Sequence, residues 1–145
     1  MTVFDVQDPR FLPPGDMPAR IAAWCAERGM AAPTDRLTWV RGIVHRLAAG
    51  FAREVEQAAA LSGRQCSTIH VVGGGAQNAM LCQSIADRSG RPVVAGPVEA
   101  TALGNVLVQA RALGAIAGDL ESMRALIART HTLTTYLPSP GPGAG

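Results

Sequence analysis

Lysine is missing from this sequence altogether; all 13 basic residues are arginine. That excludes a phosphate loop of the GxxxxGK[ST] kind and any chemistry through a lysine Schiff base. Aromatics are scarce, with two Trp, one Tyr and three Phe, and no block of arginines stands beside them. Nucleic-acid binding therefore has little to rest on. No stretch approaches the roughly 20 apolar residues of a membrane-spanning helix. The N-terminus lacks the basic-then-apolar order of a secretory signal. No membrane partner is expected, and the expected location is cytoplasmic. Cysteine is limited to Cys25, Cys66 and Cys82, an odd number at wide spacing. They form no metal-ligand pattern with one another or with His45, His70 and His131. They read as free thiols of a reducing compartment, and the histidines as packing or surface residues.

What is present describes an ordinary globular interior: 145 residues, 48% hydrophobic and 17% charged, with a net charge of +2. The length suffices for one domain with its own core. Residues 1–33 read as an irregular segment and a short helix. Paired prolines and a glycine break the first 15 positions, and Phe4, Phe11 and Leu12 are expected to pin them to the body. Asp16 has the character of an N-cap for a helix over Met17–Arg28, with Ile21, Trp24 and Cys25 on one face and Gly29 ending it.

Thr34 or Asp35 opens a long helix reaching about Ser62. Leu37, Val40, Ile43, Val44, Leu47, Phe51, Val55 and Leu61 recur at three- and four-residue steps, which predicts one buried stripe. Residues 34–137 are read as the main half-domain and 138–145, "PSPGPGAG", as a disordered tail.

The informative stretch is "IHVVGGGAQNAML" at 69–81. Thr68–Val72 reads as an apolar strand, Gly73, Gly74 and Gly75 as a turn, and Asn78–Ser89 as a helix closed by Gly90. A second strand, Pro92–Ala95, precedes a helix from about Ala100 to Leu113. A last helix, Leu120 to about Arg129, is capped by Asp119. Strand, helix, strand, helix implies an α/β fold with two parallel strands. Two strands make too small a parallel sheet to stand alone.

One glycine would let a helix pack close to the preceding strand. Three in a row clear every side chain from the turn, so a planar ring can lie on the peptide planes. Asn78 follows in the first helical turn, where its amide can donate to and accept from a purine or ribose. A Rossmann reading of the same turn fails at the third glycine position, held by Asn78. It fails again for want of an acid at the end of the next strand. Glu99 and Thr101 sit where a helix start favours them. Ala100, Ala102, Leu103 and Gly104 form a small-residue face open to close approach by another helix.

The stretch "IHVVGGGAQNAMLCQSIADRSGRPVVAGPVEATALGNVLVQARALG", with "DPRFLPPGDMPARIAAWC" upstream and "LTTYLPSP" near the end, resembles the C-terminal region of the FGGY carbohydrate kinases. Within them it is most similar to the branch acting on L-rhamnulose. The resemblance implies an actin-like, ribonuclease-H-like ATPase domain, with parallel strands and several helices, that binds ATP or ADP. It makes Gly74, with Gly73 and Gly75, the surface under the adenine, and Asn78 part of the same adenosine motif. It also implies Mg2+, held mainly through the phosphates and by parts of the kinase not in this sequence. The sugar, L-rhamnulose or a similar ketose, would be bound by the other lobe.

The family's aspartate base lies in a motif that does not occur here. No catalytic residue is therefore assigned, and the chain alone is expected to be inactive. Two other readings remain: a non-catalytic interaction module pairing through an exposed sheet edge, as a homodimer for instance, and an NAD-binding domain.

Overall fold

The computed structural model describes residues 8–140; Phe4, Asp5 and the tail beyond Pro140 lie outside the described residues. The chain divides into two compact units, Met1–Gly63 and Arg64–Gly145, and each is treated by itself.

In the first unit, Asp16 accepts a hydrogen bond from Ala19 N at 3.0 Å and caps α1, Met17–Ala26. The helix buries Ile21, Trp24 and Cys25, with Phe11, Met17, Met30, Ala32, Trp39 and Ile43 packed around them. Leu12 does not pin the segment before it; it is 83% exposed. Phe11 ends a short 3-10 turn, Pro9–Phe11, and on such a turn the next residue points about 120° away.

Polar groups do the pinning that Leu12 was expected to do. Trp24 Nε1–H donates to Asp8 Oδ2 at 2.9 Å, and Arg10 reaches both carboxylate oxygens of Glu27 at 2.9 Å. Arg20 donates to the carbonyls of Pro13 and Pro14. The Arg28 guanidinium lies 3.9 Å from the centroid of the Trp24 ring.

The long helix α2 runs Arg36–Ser62, capped by Asp35 through Thr38 N at 2.9 Å and ended by Gly63 at φ 65. Its stripe is only partly buried. Gly42, Val44 and Ala48 are buried, while Leu37, Val40 and Phe51 are exposed and Leu61 is 90% exposed. An amphipathic pattern marks which face is apolar and cannot supply a surface to cover it. Among the described residues, no helix is long and apolar enough to cross a membrane.

The second unit carries a three-stranded sheet of β1, Ile69–Val71, β2, Val93–Ala95, and β3, Thr134–Tyr136, in that order. β1 and β2 are parallel, with Ile69 opposite Val93 and Val71 opposite Ala95. β3 is antiparallel to β2, with Val93 opposite Tyr136. The sheet is therefore mixed, where two parallel strands were expected. β3 is three residues, Thr-Thr-Tyr, with both threonines exposed. So short and polar a run has no apolar signal of its own and becomes a strand only because β2 offers it a free edge.

Helix α3, Ala79–Ser89, connects β1 to β2 and contributes buried Leu81, Cys82, Ile85 and Ala86. With Ile69, Val93 and Ala95 these make up most of the unit's buried apolar residues. α4 spans Ala100–Ala112 and has no buried residue. α5 spans Leu120–Thr130, capped by Asp119 through Ser122 N at 2.9 Å, and buries Met123.

Candidate functional site

The glycine turn leaves the carboxyl end of β1. It is not a bare corner but a five-residue 3-10 turn, Gly73–Gln77, followed by Asn78 as N-cap of α3. Gly73 N–H donates to Pro97 O at 3.3 Å, which ties the turn to the loop after β2. That loop is itself fixed: Gly96 N–H donates to Val71 O at 2.8 Å. Gly96 adopts φ 110, and a β-carbon there would lie 3.2 Å from Thr132 O. The Gly96–Pro97 peptide is cis. The part that Gly96–Pro97 plays in holding the glycine turn depends on β1 and β2 lying side by side.

The three glycines differ in what this chain requires of them. Gly73 has φ 76, a conformation that side chains rarely adopt. Gly75 has no positive φ, and a β-carbon there would meet Val71 Cγ1 at an ordinary 3.8 Å. Gly74 has no positive φ either, and a β-carbon on it would meet nothing within 4 Å. Neither backbone strain nor packing within the described residues demands glycine at 74. It stands exposed, with open space where a side chain would begin.

Asn78 is exposed, and its side-chain oxygen accepts from Leu81 N at 3.0 Å. Its backbone N–H donates to Gly75 O at 3.1 Å, closing the 3-10 turn. The amide expected to face a ligand is thus half engaged in capping α3, which leaves its Nδ2 group for other partners. Beneath the turn, the buried Cys82 thiol lies 3.8 Å from Gly75 O and 3.9 Å from Ala76 O. Burial pushes its pKa up, so it stays a protonated packing group.

Glu99 occupies the N-cap of α4 without a side-chain hydrogen bond to it, and Thr101 is exposed. A β-carbon on Gly104 would meet nothing within 4 Å, so the small-residue face of α4 has no close neighbour there among the described residues. No cluster of three or more His, Cys, Asp or Glu side chains able to hold a metal ion occurs among them.

Each described aspartate accepts hydrogen bonds that fix the fold. Asp8 holds Trp24 and Arg10, and Asp16, Asp35 and Asp119 cap helices. Asp87 holds Gln83 and the Ser139 N–H. The glycine turn itself presents a side-chain-free stretch of backbone with the Asn78 amide beside it.

Residues 2–113 match the model of the FGGY family of carbohydrate kinases, C-terminal domain, and the chain belongs to that family. Its similarity is to rhamnulokinases. It is 42% identical over 137 residues to the rhamnulokinase of Bacteroides thetaiotaomicron, a match covering 94% of this chain and 28% of that protein. It is 39% identical over 138 residues to the rhamnulokinase of Klebsiella pneumoniae subsp. pneumoniae, covering 95% of this chain and 28% of that one. The chain thus spans little more than a quarter of the length of the relatives it matches.

Proposed function

We propose that this chain is the adenosine-binding portion of a rhamnulokinase-like sugar kinase with an actin-like, ribonuclease-H-type ATPase fold. The adenine of ATP or ADP rests on Gly74, flanked by Gly73 and Gly75, and Asn78 donates from its Nδ2 to the base or ribose. The observation that carries the reading is Gly74: a glycine that neither backbone conformation nor packing requires, with open space over it. In the full reaction the γ-phosphoryl group passes in line to a hydroxyl of L-rhamnulose or a similar ketose, with Mg2+ on the phosphates neutralising charge. The residues of this chain bind and orient the nucleoside. The family's aspartate-base motif does not occur in this sequence, and on that ground the chain alone is expected to transfer nothing.

Calorimetric titration with ADP tests the binding. Gly74→Ala puts a methyl group where the base lies and meets no protein atom. It is expected to leave the melting midpoint nearly unchanged and to weaken ADP by about tenfold, equivalent to about 1.4 kcal/mol. Absence of ADP binding to the unaltered chain, or equal affinity in Gly74→Ala, overturns the assignment. A coupled assay with ATP and L-rhamnulose is expected to show no turnover, and any steady turnover by this chain overturns the second part.

The NAD-binding alternative is disfavoured by the 3-10 turn. It separates β1 from α3 by more than the tight strand-to-helix corner that a dinucleotide fingerprint requires.

A further inference from the structure

Gln77 closes the 3-10 turn Gly73–Gln77 and is the only residue of that turn with a polar side chain. At three residues per turn, residues i and i+3 lie one above the other, so Gln77 stands on the same face as Gly74. Exposure follows that period: Gly73 and Ala76 are half-buried, whereas Gly74 and Gln77 are exposed. With a rise of about 2 Å per residue, the two are offset by about 6 Å along the turn. That offset sets the Gln77 amide beside a ring resting on Gly74, at the edge of the ring and not over its face.

The backbone around Gln77 is held on both sides. Asn78 N–H donates to Gly75 O at 3.1 Å, and Ala76 O lies 3.9 Å from the buried Cys82 thiol. The Gln77 side chain, by contrast, is not used by the fold. Among the described residues none hydrogen-bonds its amide, and the capping of α3 falls to Asn78. Asn78 commits its oxygen to Leu81 N and keeps only a donor. Gln77 keeps both halves of its amide, an acceptor and a donor side by side.

That pair matches one edge of adenine, where the 6-amino group donates and the neighbouring N7 accepts; glutamine meets this edge through two hydrogen bonds. On the same edge a 6-oxopurine such as guanine presents two acceptors, O6 and N7, so the amide oxygen would face another oxygen. We infer that Gln77 selects the base: its amide pairs with the 6-amino group and N7 of an adenine lying on Gly74, and the site takes adenine nucleotides in preference to 6-oxopurine nucleotides. This selection rests on the proposed adenosine site and adds to it the choice of phosphoryl donor, ATP over GTP.

Calorimetric titration of the chain with ADP, inosine diphosphate and 7-deaza-ADP is the test. Inosine diphosphate carries oxygen in place of the 6-amino group, and 7-deaza-ADP lacks the N7 acceptor. The unaltered chain is expected to bind ADP about tenfold more tightly than inosine diphosphate, equivalent to about 1.4 kcal/mol. It is expected to bind ADP about threefold more tightly than 7-deaza-ADP, as for the loss of one hydrogen bond. Gln77→Ala is expected to keep the melting midpoint and to bind all three nucleotides alike. Equal affinity of the unaltered chain for ADP and inosine diphosphate overturns the selection, and so does undiminished binding of 7-deaza-ADP; neither result depends on a variant that folds. A preference for ADP that survives in Gln77→Ala overturns it as well. If Gly74→Ala weakens ADP while Gln77→Ala changes nothing, the nucleotide site stands and only the role of Gln77 falls. If the unaltered chain binds no ADP, both fall.

Discussion

Asn78 and Leu81 are joined by a side-chain-to-backbone hydrogen bond of 3.0 Å that caps α3 at the point where the glycine turn ends. One residue thus serves the fold through its oxygen and, in the proposed function, the ligand through its nitrogen. The two roles separate by substitution. Asn78→Asp keeps an acceptor for Leu81 N and adds a charge favoured at a helix N-terminus, so stability should hold. It loses the donor and brings a negative charge near the nucleotide, so ADP affinity should fall. Asn78→Ala loses both and should also destabilise the chain by about 1 kcal/mol. Thermal melts paired with ADP titrations decide; undiminished ADP affinity in Asn78→Asp would remove the nitrogen from the site.

Gly73 and Gly74 should respond oppositely to alanine. At φ 76, alanine in place of Gly73 costs about 1–2 kcal/mol in backbone conformation. Steric contact adds nothing, since the nearest atom to a new β-carbon is Val98 O at 4.0 Å. Denaturant unfolding of Gly73→Ala should show that loss, with Gly74→Ala close to the unaltered chain. Equal stability of the two variants would contradict the assigned backbone.

The segment after β3 is clipped to α3. Gln83 Nε2 donates to Leu137 O and to Asp87 Oδ1, both at 2.8 Å, and the same Asp87 oxygen accepts from Ser139 N at 2.8 Å. Asp87→Ala should release Ser139 and raise the exchange rate of its amide. Gln83→Ala should do the same less strongly and lower stability by about 0.5–1.5 kcal/mol. Unchanged Ser139 exchange in Asp87→Ala would show that the clip does not hold in solution.

Acid should weaken the fold through three carboxylates. Asp8 is held below the ordinary carboxylate range chiefly by the backbone N–H of Arg10. The Thr38 hydroxyl does the same for Asp35, and the Ser122 backbone N–H for Asp119. With the folded pKa below the unfolded one, the unfolded chain binds more protons in the interval between them. The stabilisation is complete above the ordinary carboxylate range and is lost as pH falls through it toward the folded values. Melting midpoints should therefore drop below about pH 5. Asp35→Asn and Asp119→Asn keep a capping oxygen but do not titrate, so each should flatten that fall; an unaltered acid limb would remove these caps as its cause.

Much of the local structure was legible in the residues. Asp16, Asp35, Asn78 and Asp119 were placeable as helix starts, although Asn78 proved to be the cap itself and not a residue of the first turn. Gly90 was placeable as a helix end, and Gly73, Gly74 and Gly75 as a turn after the strand. Each of these depends on groups within about four positions of one another, so a short window of sequence holds all the parties.

What lay beyond that range was decided by the tertiary structure. Thr134–Tyr136 is a strand only because β2 runs beside it, and the segment around the exposed Leu12 is held by Asp8 and Trp24, 16 positions apart. Val40 and Phe51 stay uncovered although the helical period puts them on the apolar face. The hold of Pro97 on Gly73 joins two loops through the pairing of β1 with β2. Caps and turns follow from neighbours in the chain, whereas pairing and burial depend on which distant surface arrives.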